Sequence, residues 1–214
     1  MRTFFYFSFF TAIFAQDIWY KCVKTDLDFE IRRFNLAIGI NETYSYNSGD
    51  VNMVYQAVFA AFRQDIPGVC RARSAFAYYL GATYSDCMDP FTIAAIASTE
   101  ITAFDAVSYG QIWNRLEFAC GGGFSIAIAD YPCIYSATQT SRFSACYQEF
   151  RNATNNYSDF NIFCKGVAVY AQCGETAVRE MQCKNDLSAW YLCESLRYGN
   201  GKLCPGLRCF TNYL

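Results

Sequence analysis

Apolar positions recur at spacings of three and four along most of this chain, and that period predicts helices rather than strands. Over Asp17–Ile38 the stripe is Trp19, Val23, Leu27, Ile31, Phe34 and Ile38, with charges between them. Gly39–Asp50 breaks it with Asn, Ser and Gly and reads as an exposed loop. Val51–Gln64 resumes through Val54, Tyr55, Val58, Phe59 and Phe62. Pro67-Gly68 punctuates, and Val69–Leu80 makes a third helix with Phe76 and Leu80 on one side. Asp89 is a good N-cap, and Pro90 at the first helical position loses no needed hydrogen bond. A stripe of Ile93, Ile96, Ala97, Ile101 and Phe104 follows, then a run through Ile112, Trp113 and Leu116 to Cys120.

Gly121-Gly122-Gly123 is expected to stop that run, because three glycines are costly to order as helix. The triplet follows a helix and lacks the Lys-Ser/Thr ending of a phosphate loop, so it is read as a stop and not as a phosphate site. Ser125–Ala129 is a short apolar run compatible with buried helix. Pro132 is expected to open a helix through Cys133, Phe143, Cys146 and Phe150, with Asn152–Ser158 as a second exposed loop. Asn185-Asp186 offers caps for a final helix carrying Leu187, Trp190, Cys193 and Leu196, ended by Gly199-Asn200-Gly201.

Twelve cysteines change the picture from a plain bundle to a stapled one: Cys22, Cys70, Cys87, Cys120, Cys133, Cys146, Cys164, Cys173, Cys183, Cys193, Cys204 and Cys209. An even set of this size points to six disulfides and an oxidising compartment. On a continuous helix Cys164 and Cys173 would lie about 13.5 Å apart, whereas bridged Cα atoms lie within about 7 Å. The same holds for Cys173 with Cys183 and for Cys183 with Cys193, so these cysteines must bond to neighbouring helices unless the chain reverses. The fold class is therefore mainly α, a disulfide-stapled bundle of about seven to nine helices.

The N-terminus agrees with that compartment. Met1-Arg2 and the apolar run Thr3–Phe14 before Ala15 read as a secretory signal peptide over residues 1–15, too short to span a bilayer comfortably. The expected mature chain, residues 16–214, is a single secreted cysteine-rich domain. Asn41-Glu42-Thr43, Asn152-Ala153-Thr154 and Asn156-Tyr157-Ser158 are N-glycosylation sequons. Ser48-Gly49-Asp50 is the kind of loop site where a glycosaminoglycan can be attached to Ser48.

Composition excludes more chemistry than it suggests. The chain has no histidine, which removes Ser-His-Asp and Cys-His catalysis and ordinary zinc hydrolase sites. With the thiols assigned to disulfides no metal site is expected, and no cofactor. The net charge of −2 without a basic stripe disfavours nucleic acid. Glu100 and Glu117 are the carboxylates that a two-carboxylate hydrolase would need; both are read as solvated helix edges. The 20 Phe, 17 Tyr and 3 Trp suit either a filled aromatic core or a pocket for a small apolar ligand. Helical spacing accounts for most of the large rings, and no charged residue stands out as the holder of a head group, so the filled core is expected.

Cys87-Met88-Asp89-Pro90-Phe91 before an Ile/Ala-rich helix, together with Tyr170-Ala171-Gln172-Cys173, Cys183 and Trp190-Tyr191-Leu192-Cys193, resembles secreted cysteine-rich nematode proteins. The nearest groups are the chondroitin proteoglycan 4 type domain and a related domain of unknown function. The resemblance implies an extracellular helical domain with no known catalytic residues and a matrix or proteoglycan-core role. The expected function is a secreted, non-enzymatic interaction or structural protein with an extracellular protein or glycan partner and no stable membrane insertion. The alternative is a carrier of lipid or another apolar ligand.

Overall fold

The computed structural model describes residues 21–47, 51–97, 101–154, 159–185 and 187–209. The expected signal peptide, the first-helix positions Asp17 and Trp19, and Ser48, Glu100 and Asn156 lie outside them. The described residues form the helices α1 (Lys24–Ala37), α2 (Val51–Gln64), α3 (Ile66–Leu80), the single turn α4 (Tyr84–Cys87), α5 (Pro90–Ile96), α6 (Ala103–Cys120), α7 (Phe124–Thr138), α8 (Ser141–Thr154), α9 (Phe160–Glu180) and α10 (Ser188–Asn200). Nine of these run to seven residues or more, no strand occurs among the described residues, and the mainly helical bundle holds. No helix among those residues is long and apolar enough to cross a membrane.

Helix α6 is the axis. It packs against α2, α3, α5, α7 and α10, so its apolar surface wraps most of its circumference: Ala106, Tyr109, Ile112, Trp113, Leu116, Phe118 and Ala119 are all buried. Helix α1 packs on α3, and α9 packs with α8 and α10. The rings that the sequence places at helical spacing meet around Trp113. Phe76 stacks on it with centroids 4.1 Å apart, Phe34 is tilted against it at 4.7 Å, and Tyr109 stands edge-on at 6.2 Å.

All twelve cysteines are paired: Cys22–Cys87, Cys70–Cys120, Cys133–Cys183, Cys146–Cys173, Cys164–Cys204 and Cys193–Cys209. Cys164 and Cys173 share α9 and, as helical rise requires, each bonds elsewhere; Cys183 lies beyond the end of α9 and Cys193 on α10, where the chain has turned, so their partners are set by packing. The connectivity also divides the chain. Two bridges tie residues 22–120 and four tie residues 133–209, and none crosses between. One hydrophobic cluster nevertheless runs from Cys22 to Leu192, and with polar contacts such as Gln111–Asn200 and Lys202–Asp89 it joins the two stapled halves without a disulfide.

Several expected boundaries move, each for a local reason. Val23 is exposed and precedes α1. Pro67-Gly68 does not separate helices but starts α3: Asp65 caps it by accepting from the Gly68 N–H at 2.9 Å. A Cβ at position 68 would lie 1.9 Å from the Asp65 carboxylate, so this cap needs glycine. The stripe from Ile93 to Phe104 is two helices, because Ala97 leaves α5 in extended backbone and Thr102 opens α6 with a capping box to Asp105. Asp89 caps α5 and Pro90 takes its first turn, as expected.

Pro132 does not open a helix; it sits inside α7, while Phe143, Cys146 and Phe150 belong to the separate α8. A proline ring there sacrifices one backbone bond, and α7 survives because Ile126, Ala127, Tyr131, Ile134 and Ala137 bury its other side. Ser125–Ala129 accordingly is helix. Gly199 lies within α10, which ends at Asn200. The start of α10 depends on a residue far away in sequence: Asp130 of α7 accepts from the Asn185 N–H at 3.0 Å and from the Ser188 hydroxyl at 2.6 Å.

Candidate functional site: an arginine among hydroxyls and rings between the two halves

The sequence-predicted positions scatter. Asn41 is exposed in a turn, where its side-chain oxygen accepts from the backbone and hydroxyl of Thr43. Asn152 is exposed too, but in the last turn of α8 and not in a loop. Glu117 is half exposed and pairs with Arg73 at 3.0 Å, which also donates to the Tyr84 hydroxyl at 2.9 Å. It therefore braces α6 against α3. Gly121–Gly123 forms the turn between α6 and α7, and Gly123 lies under the rings of Phe118 and Tyr191. Asp130, Cys133 and Cys183 have ligating atoms close together, but both sulfurs are spent in one disulfide and Asp130 in capping α10. An open groove of about 280 Å³ runs beside α1, lined by Asp28, Arg32, Glu42 and Thr43 among others. Its polar walls do not suit the apolar ligand the aromatic content suggests.

A second polar arrangement, away from that groove, was not singled out by sequence. Arg115 leaves α6 on its buried side, three residues after Ile112 and four before Ala119. Its Nε donates to the Ser195 hydroxyl of α10 at 3.1 Å and its Nη1 to the Tyr55 hydroxyl of α2 at 2.8 Å. The guanidinium lies over the rings of Tyr55 and Phe59, 5.3 and 5.6 Å from their centroids. Its stem crosses Gly199, where a Cβ would meet Arg115 Cγ at 3.0 Å. That glycine makes room for the arginine.

Tyrosines from three further helices face the same charge. Burial pushes Tyr131, Tyr170 and Tyr191 above the ordinary phenol range, and the charge of Arg115 opposes that rise at each without cancelling it. Burial likewise opposes the charge on Arg115, yet Tyr55, Tyr170, Tyr131 and Tyr191 together outweigh it and hold its pKa above the ordinary value. Of the buried carboxylates, Glu30 has Arg33 and Glu194 has Arg197, while Asp130 caps α10. Arg115 has no carboxylate among the described residues.

Buried phenols of this kind set an alkaline limit on the fold. Tyr46, Tyr84, Tyr109, Tyr131, Tyr170 and Tyr191 all have raised pKa values, each chiefly through burial. An acid whose pKa is higher folded than unfolded stabilises the fold below the unfolded value near 10 and loses that contribution as pH climbs toward the folded value. In a titration followed at 295 nm, these six of the 17 tyrosines are expected to stay neutral beyond the ordinary phenol range and to ionise only as the circular dichroism signal collapses. Ionisation of every tyrosine within that ordinary range, with an unchanged dichroism spectrum, would contradict the packing described.

No known family, curated protein or solved structure matches this chain.

Proposed function

We propose that the chain is a secreted, non-enzymatic interaction or structural protein of the extracellular space. The observation that supports this reading most is the pairing of all twelve cysteines across loops of 16 to 65 residues. Such a set of bridges persists where thiols are oxidised and dissolves where glutathione reduces them. The rigid helical surface, with Asn41 and Asn152 exposed, then serves a protein or glycan partner, and a matrix role follows from the resemblance to proteoglycan-associated nematode domains. A second reading, the carrier of a small apolar ligand, draws support from the aromatic content.

Expression of the whole chain in a secreting eukaryotic cell tests the first reading. The protein is expected in the medium, without thiols reactive under denaturing, non-reducing conditions, and with a mass that falls on removal of N-glycans at Asn41, Asn152 or Asn156. A chondroitinase-sensitive band would add Ser48 as an attachment site. Retention inside the cell with two or more reactive thiols would overturn the proposal.

A further inference from the structure

We infer that the open groove beside α1 seats the innermost N-acetylglucosamine units of a glycan on Asn41, an inference that rests on the secreted reading and gives that glycan a place on the fold. The groove measures about 280 Å³; α1 supplies Asp28 and Arg32 to its walls, and the following loop supplies Glu42, Thr43, Tyr44 and Asn47. The loop is held firmly. Asn35 of α1, itself buried, donates to the Tyr44 carbonyl at 2.7 Å, and the buried Tyr46 donates to Asp28 at 2.5 Å. Glu42 and Thr43 are also the rest of the sequon that begins at Asn41. The Asn41 side-chain oxygen accepts from Thr43 Oγ1 at 2.8 Å. The amide nitrogen that carries the sugar therefore lies one amide width beyond a contact with the groove wall.

The chemistry of the walls selects a neutral polyol. These wall charges are already matched, Asp28 with Lys24 at 2.6 Å and Glu42 with Arg32 at 2.7 Å. An ionic ligand gains at one member of such a pair what it loses at the other. A sugar hydroxyl can donate to the carboxylate or accept from the guanidinium without parting them, because each keeps spare sites in a pair. Asn47 adds an unmet need. Its side-chain oxygen is shut from solvent and accepts no hydrogen bond, and such a group is costly to leave unsatisfied. Turning that amide toward the groove breaks no bond of the oxygen and lets it accept from a sugar hydroxyl or an acetamide N–H. Tyr44, half-buried in the wall, offers apolar surface to the C–H face of a pyranose. The volume falls at the low end of small-ligand sites, about 300–1,000 Å³, which suits one or two sugar rings. An open groove holds a free sugar weakly, but a sugar tethered at Asn41 meets it at a local concentration of roughly millimolar or more.

The test uses the full chain secreted from a glycosylating eukaryotic cell, with Asn152→Gln and Asn156→Gln so that Asn41 alone carries a glycan. Compared with Asn41→Gln in the same background, the Asn41 glycan is expected to raise the melting temperature by about 2–4 °C. Asn47→Ala and, separately, Arg32→Ala should each remove at least half of that gain, with little change in the unglycosylated protein. A peptide N-glycosidase should release the glycan from either native variant about tenfold faster than from the unaltered groove, because only the undocked fraction is cleaved. Free N,N′-diacetylchitobiose should bind the Asn41→Gln protein weakly and saturably, and the Asn41-glycosylated protein not at all. Equal binding by both would overturn the chain's own glycan as the occupant, and binding by neither would overturn the sugar itself. Identical release rates and melting shifts with and without the two wall substitutions would overturn the groove. An unmodified Asn41 on protein recovered from the medium would overturn the inference and leave the secreted reading standing; retention of the wild-type chain in the cell would overturn both.

Discussion

Reduction of the six disulfides is expected to unfold this protein at 25 °C. A bridge that closes a loop of about 50 residues, as Cys70–Cys120 and Cys133–Cys183 do, removes roughly 4 kcal/mol of chain entropy from the unfolded state. The loops overlap, so their contributions do not simply add. Half of the nominal sum still matches the whole stability of an ordinary domain, about 5–15 kcal/mol. With the bridges broken, the helical signal at 222 nm should fall in one cooperative step on addition of reductant, without denaturant. A reduced, alkylated protein that keeps its native spectrum would show that packing alone suffices. The map has its own check. A single backbone cut between Cys120 and Cys133 should release two fragments under denaturing, non-reducing conditions, since no bridge spans that interval. One intact covalent species after the cut would mean a different connectivity.

Trp113→Ala should be among the most damaging single substitutions outside the cysteines. Trp113 is 2% exposed and lies between Phe34, Phe76 and Tyr109, where α1, α3 and α6 converge. Removing its ring loses the transfer free energy of a large side chain and leaves a cavity that rigid, disulfide-held helices close poorly. The expected cost is about 3–5 kcal/mol, or a fall in melting temperature of roughly 6–20 °C for a chain of this size. Trp113→Phe retains most of the stacking on Phe76 and should cost less than half as much. Urea titration of the oxidised proteins measures both. A loss below about 1 kcal/mol for W113A would show that the site collapses freely around the gap.

These two effects rest on different levels of legibility. Apolar residues at spacings of three and four need no partner to be read, because one face of each helix must be buried whatever buries it. Leu27, Ile31, Phe34, Phe59, Phe62, Ile93 and Trp113 are accordingly core. The number of cysteines declares disulfides, and helical rise forbids Cys164–Cys173 on the helix they share, α9; it says nothing of Cys183 once the chain turns before α10. Cap chemistry is readable where it is local and strong, at Asp89-Pro90. It misleads at Pro67-Gly68 and Pro132, where proline marks a helix's first turn in one case and is tolerated inside a well-buried helix in the other.

Pairing, and the site, were beyond the sequence. Which cysteine meets which depends on how α6 lies against its neighbours, and local pattern carries no information about partners 50 residues away. Arg115 has the sequence surroundings of one more surface charge, and the only local hint against that is its place in the stripe Ile112–Arg115–Ala119. What distinguishes it is convergence. Tyr55, Tyr131, Tyr170, Tyr191 and Ser195 come from α2, α7, α9 and α10, and Gly199 leaves the room for its stem. A buried charge acquires meaning from what surrounds it in space, and for this arginine tertiary packing brought hydroxyls and rings to it and no carboxylate among the described residues.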